Sequence, residues 1–141
     1  MQLVHFYLNF PGTAKQAFQF YETVFGKKMV MMQTFGETSF IPNVPDAAKD
    51  KIMHAQLPLT EAVHLMASDV VEGFGPPVTF GNNFSVSVVA SDKAEADRVF
   101  AALAEGGDVQ MPIQETFWAK RFGMVTDKFG IPWFVNCETP R

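Results

Sequence analysis

The sequence predicts an α+β protein built from two βαβββ modules. Three observations predict it. The order strand, helix, three strands can be read in the first half of the chain and again in the second. The strongest turn punctuation, Gly73, Gly75, Pro76, Pro77 and Gly81, falls near the midpoint. The composition is that of a folded domain, with 141 residues, 48% hydrophobic and 18% charged. A chain of that length buries roughly 68–70% of its unfolded surface, so it needs no disulfide or metal staple. The organisation expected is one module over 1–68, a linker over 69–82 and a second module over 83–141.

The elements follow in order. Residues 2–10 (QLVHFYLNF) read as a strand closed by Pro11-Gly12. Period 2 puts Val4, Phe6, Leu8 and Phe10 on an apolar face and His5, Tyr7 and Asn9 on a polar-aromatic one. Thr13 begins a helix, with Gln16 completing a capping box. Ala17, Phe18, Phe20, Tyr21 and Val24 supply its apolar stripe, and Gly26 stops it. Residues 27–34 read as a strand and 35–50 as a long loop. Residues 51–58 and 61–68 read as a hairpin. In the second half, 83–90 read as a strand, with Asn83, Ser85 and Ser87 on one face. Ser91 or Asp92 caps a helix that Gly106-Gly107 ends. Strands follow near 108–114, 119–126 and 131–138, with a turn at 127–130.

Charge and cysteine usage exclude several functions. Eleven basic against fifteen acidic residues give a net charge of −4 and a pI near 5.3. No basic stripe offers itself to nucleic acid or to an anionic membrane. The single cysteine, Cys137, rules out a disulfide scaffold and a Cys-rich zinc site. Apolar runs fall short of the ~18–20 residues that span a bilayer. The chain opens directly into strand-like sequence with no charged n-region, so a cytoplasmic protein is expected. The 15 Phe and 8 Met are enough to line a pocket as well as fill a core.

Long stretches of sequence carry a resemblance. YLNFPGTAKQAFQFYETVFG (7–26) looks like the first strand and helix of the PhnB-like branch of the vicinal oxygen chelate superfamily. That superfamily holds glyoxalases, bleomycin-resistance proteins and extradiol dioxygenases. MPIQETFWAKRFGMVTDKFGIPWFVN (111–136) resembles the end of the same branch, and HAQL (54–57) and LMASD (65–69) fit between. The branch is often labelled demethylubiquinone methyltransferase-like. The sequence itself contains no Gly-rich strand-to-helix turn of the kind that cradles a nucleotide-bearing cofactor. The resemblance implies curled mixed sheets around a cleft, a glyoxalase/bleomycin-resistance-like fold. In metal-using members, four ligands hold a divalent ion (Zn, Ni, Co or Mn) that chelates neighbouring substrate oxygens as a Lewis acid.

Carried over residue by residue, the ligand set is partial. His5 stands at the first ligand position and His64 at one that carries Glu in glyoxalases. The second-module positions fall on Asn83 or Ser85, and near Phe134. Asn and Ser are weak ligands, and Phe is none. His5 and His64 thus read either as a weak or vestigial metal pair or as strand histidines hydrogen-bonded at the sheet surface. Glu115 is the candidate third ligand or general base, and Glu138 reads as solvated. Tyr7, Asn9, Asn83 and Ser85 are candidate polar contacts to a ligand, and Trp118, Phe122 and Trp133 candidate pocket walls. His54 reads as a structural or pocket residue.

The function expected is binding of a small polar molecule in the cleft between modules, beside a degraded metal site. One alternative is a metal-dependent lyase, isomerase or dioxygenase acting on vicinal oxygens. Another is sequestration of an antibiotic or toxin. A homodimer is expected, with 35–50 and 69–82 as connections that permit swapping.

Overall fold

Residues 1–39 and 43–139 are described by a computed structural model. The chain divides into two compact units, 1–79 and 80–141. The first carries β1 (Phe6–Phe10), α1 (Ala14–Phe25), β2 (Met31–Thr34), β3 (Ile52–Pro58) and β4 (His64–Asp69). The second carries β5 (Val86–Val89), α2 (Lys93–Ala104), β6 (Asp108–Gln114), β7 (Ala119–Thr126) and β8 (Pro132–Glu138). Each unit is a βαβββ module with one four-stranded mixed sheet. The orders, β1-β4-β3-β2 and β5-β8-β7-β6, are the same topology. In both, the first strand runs parallel to the last, and the other pairings are antiparallel.

One face of each sheet is closed by the module's own helix. In the first unit, Ala14, Ala17, Phe18, Tyr21 and Val24 of α1 are buried, as are Leu8, Phe10, Ala55, Leu57, Leu65 and Ala67 of the strands. Phe10, Phe18 and Tyr21 meet edge to face, at 6.5 and 5.7 Å between successive ring centroids. In the second, Ala96, Val99, Phe100 and Leu103 of α2 are buried, with Val86, Val125, Trp133 and Val135 beneath. Alternation along each strand leaves the opposite face to polar and aromatic side chains.

Several boundaries and caps differ from expectation. Strand β1 starts at Phe6, not at residue 2, because only from there does β4 pair with it. Strand β2 starts at Met31, and β5 is confined to Val86–Val89, which leaves Asn83, Phe84 and Ser85 before the strand. The Thr13–Gln16 capping box does not form, since Thr13 makes no side-chain cap bond. Asp69 from β4 takes the amides instead: its Oδ1 accepts from Gly12 N at 3.0 Å and Ala14 N at 2.9 Å. Helix α2 is capped by Asp92, which accepts from Glu95 N at 2.8 Å, while Glu95 accepts from Ser91 N. Gly26 ends α1 in the left-handed region, at φ 62°.

The 35–50 loop contains single 3-10 turns at Phe35–Glu37 and Asp46–Ala48, and its residues 40–42 lie outside the described residues. Phe35 and Ala48 form a small cluster with Val71. Residues 69–79, read from sequence as linker, therefore belong with the first unit.

Candidate functional site

The open face of the first sheet gathers the polar groups. Register lines up Tyr7, Met66, Gln56 and Met31 in one cross-strand row. The next row holds Asn9 opposite Ser68 and His54 opposite Gln33. The Ala55–Ala67 pairing sets His54 beside Ser68. These side chains point away from α1 because their strand neighbours point toward it. Tyr7, Asn9, Gln33, His54 and Ser68 floor a cleft of about 750 Å³. Phe35, Met53, Val71, Phe74 and Val78 supply its apolar wall. The segment 70–79 forms one flank. A volume and lining of this kind suit a small molecule with an apolar body and a polar edge.

All three histidines of the chain lie on this face. His64 N–H donates to His5 Nδ1 at 3.0 Å, extending the β1–β4 ladder by a side chain. The two imidazoles stack, with centroids 4.7 Å apart and planes 25° from parallel. Gln56 Nε2 donates to His64 Nδ1 at 2.6 Å. His54 is separate: the Tyr7 hydroxyl lies 3.4 Å from its Nδ1, with the rings 5.8 Å apart.

This donor set does not fit the four-ligand metal centre that the fold implies. Both histidines at ligand positions use Nδ1 in internal bonds. With Nδ1 accepting in each, the neutral rings carry their proton on Nε2, so neither keeps a lone pair free for an ion. Among the described residues, no three His, Cys, Asp or Glu come together as a possible cation site. A structural or catalytic transition-metal site needs three or four such ligands.

Other sequence candidates are dispersed. Asn83 and Ser85 precede β5, the first exposed and the second half-buried. Glu115 is exposed in the β6–β7 turn, and Glu138 is exposed at the end of β8. Trp118 and Phe122 are brought together, at 5.5 Å, and Phe122 continues to Phe134 at 5.6 Å. The turn that carries Trp118 is closed by Thr116, which bonds Ala119 through both backbone and hydroxyl. It holds Phe117 96% and Trp118 48% exposed. Trp133 is on the opposite, helix-covered face, fully buried, and its indole N–H donates to Asp127 at 2.8 Å. That makes it a core residue of its module rather than a wall of an open site.

Sequence reasoning passed over three residues of interest. Asp69 is buried, and its Oδ2 also accepts from Ile52 N at 2.9 Å. Ser68 lines the cleft beside it. Asn136 shows a buried Oδ1 with no hydrogen-bond partner among the described residues, on the open face of the second sheet opposite Phe122. The period-2 rule identifies Ser68 and Asn136 once the strands are paired. Nothing local identifies Asp69, since its partners lie 17, 55 and 57 residues away.

The chain matches known proteins over nearly its whole length. A family model described as 3-demethylubiquinone-9 3-methyltransferase matches residues 2–136. The chain belongs to that family. The protein YjdN of Escherichia coli K12 is 32% identical over 136 residues, covering 92% of this chain and 91% of that one. The crystal structure of protein PA1353 from Pseudomonas aeruginosa has a TM-score of 0.88 at 44% identity, covering 99% of this chain and 100% of the other. The PhnB protein of Bacillus cereus gives 0.75 at 28% identity, covering 95% and 98%. A glyoxylase/bleomycin resistance protein/dioxygenase domain from Frankia, at 12% identity and a TM-score of 0.65, shares the fold. The fold is thus that of the glyoxalase/bleomycin-resistance group, in its PhnB-like branch. Among the described residues, no helix is long and apolar enough to cross a membrane.

Proposed function

We propose that this protein binds a small molecule in the cleft on the open face of its first module, without a bound metal. The observation that carries the reading is the polar row Asn9, Ser68, His54 and Gln33 flooring an apolar-walled cleft of about 750 Å³. Few polar groups placed on one side of an apolar cavity orient a ligand and discriminate among ligands.

The family description names methyl transfer. The geometry at the first strand-to-helix turn argues against a cofactor site there. The Gly12 and Ala14 amides, which would otherwise meet a cofactor's anionic end, already donate to Asp69. The metal-dependent alternative has two histidines in place of four ligands. Binding is what remains well supported by the residues present.

The test is a protein-observed NMR screen with small ring compounds bearing one polar edge. Binding compounds should shift the amides of Asn9, His54, Ser68 and Phe74. Ser68→Phe should fill the floor and abolish those shifts while the remaining spectrum stays folded. Shifts elsewhere, or equal binding by the Ser68→Phe variant, would overturn the reading.

A further inference from the structure

We propose that the first-module cleft takes a small aromatic organic acid, its carboxylate held by protonated His54 together with the Tyr7 hydroxyl. This inference rests on the cleft reading above and adds the ligand's charge and the residues that select it.

The charges around the cleft lead to it. Three ionisable side chains line it, Tyr7, His54 and Asp69, and among the described residues no Lys or Arg does. Asp69 accepts three backbone N–H bonds, so its charge is compensated inside the fold. Tyrosine stays neutral near pH 7, whereas imidazole is the side chain that changes charge between about pH 5 and 8. Of the described residues that line the cleft, His54 is therefore the one that can become a cation. Among the described residues, the other elements around it bring no competing ion. Strand β1 offers Tyr7 and Asn9, β4 offers Ser68 and the engaged Asp69, and β2 offers neutral Gln33. Glu37 of the neighbouring 3-10 turn accepts from the Thr34 hydroxyl at 2.9 Å. Glu72 of the 70–79 segment lines other hollows, not this one. Lys51, three residues before His54, reaches Gly12 O at 3.4 Å.

The Tyr7–His54 contact gives the selectivity a mechanism. When His54 is neutral and Nδ1 unprotonated, the Tyr7 O–H points to that nitrogen, 3.4 Å away. The pair is then satisfied internally. Protonation at Nδ1 reverses the bond: the imidazolium donates to the Tyr7 oxygen, and the Tyr7 proton turns outward. The cleft gains a positive charge and a second free donor in one step. A carboxylate receives a charge-assisted bond from His54 Nε2–H and a further bond from Tyr7. Phe35 and Phe74 offer apolar surface to the ring that carries it. The chain's net −4 opposes this weakly, since exposed charges beyond about 8 Å are screened at physiological salt.

The experiment titrates full-length protein with benzoate and, separately, with its neutral counterpart benzamide, between about pH 5.5 and about pH 8.5. Amide shifts at Asn9, Ser68 and Phe74 report occupancy, and the His54 ring signals report its protonation. Benzoate affinity should fall about tenfold across that range, in step with His54. Benzamide affinity should stay level. His54→Gln should remove the pH dependence, with an unchanged melting temperature confirming the fold. Tyr7→Phe should weaken benzoate at low pH more than benzamide. If both compounds bind in the cleft without pH dependence, selection by His54 is wrong and the cleft reading stands. If neither shifts a cleft residue at either pH, both readings fall.

Discussion

Asp69 shows how one side chain can join distant parts of a module. It sits at the end of β4, and its two oxygens accept from amides at the start of α1 and from Ile52 at the start of β3. Asp127 does the corresponding work at the end of β7: it accepts from Phe129 N, Ile131 N and Trp133 Nε1. In each case a buried carboxylate replaces water as the partner of otherwise unsatisfied donors. Each buried donor left without a partner costs about 1–3 kcal/mol. Asp69→Ala leaves two buried donors and the part-buried Gly12 N–H, so a loss of about 2 kcal/mol or more is expected in urea unfolding. Asp69→Asn keeps a single acceptor oxygen and should fall between the variant and the parent. Equal stability of all three proteins would mean that the carboxylate does not hold these amides in solution.

The elements themselves were legible because hydrophobic period and Gly/Pro punctuation are local signals. The starts and stops of β6, β7 and β8 were foreseen to within a residue or so. What was not legible is where a local rule loses to a tertiary partner. Thr13-x-x-Gln16 matches the capping-box pattern, yet Asp69 arrives from β4 and takes the amides that Thr13 would have capped. Asp92 at the second helix has no such competitor and caps as the pattern predicts. The two helices therefore separate in a test. Asp92→Ala should cost about 1 kcal/mol, the usual loss of a helix cap. Thr13→Ala should cost much less, since no cap bond is lost. Denaturant midpoints measured on both variants check the difference, and a loss at Thr13 equal to that at Asp92 would contradict it. Gly123 marks another limit of sequence reading. Its Cβ would meet Phe100 Cε2 of α2 at 2.6 Å and Ile113 Cα at 3.1 Å, so helix and sheet approach closely there. A glycine inside a strand hints at such an approach, but cannot name what approaches.

At the scale of the whole molecule, one topology is used twice with different open faces. The first sheet carries every histidine of the chain, with Tyr7, Asn9, Gln56 and Ser68. The second carries the Trp118–Phe122–Phe134 aromatic run and Asn136. The repeat was visible in the sequence because element order survives when residue identity does not. The division of chemistry between the faces needed the strand register, which sets the rows. The second-module positions that the resemblance assigns to ligands hold Asn83 or Ser85 and Phe134, residue types that bind a transition metal weakly or not at all. The consequence reaches the stability of the entire chain. An ion that binds the folded state at a hundred times its dissociation constant stabilises it by about 2.7 kcal/mol. For a chain of this length that raises the melting temperature by on the order of 10 °C. Zn²⁺, Ni²⁺, Co²⁺ and Mn²⁺, each added at about a hundred times a micromolar dissociation constant, should instead move it by less than about 1 °C. Two stacked imidazoles with both Nδ1 atoms engaged leave nothing that grips an ion tightly. A shift of many degrees, saturating at one ion per chain and lost in His5→Ala, would show that these rings rearrange to meet the metal. The metal-assisted reading would then displace the binding one.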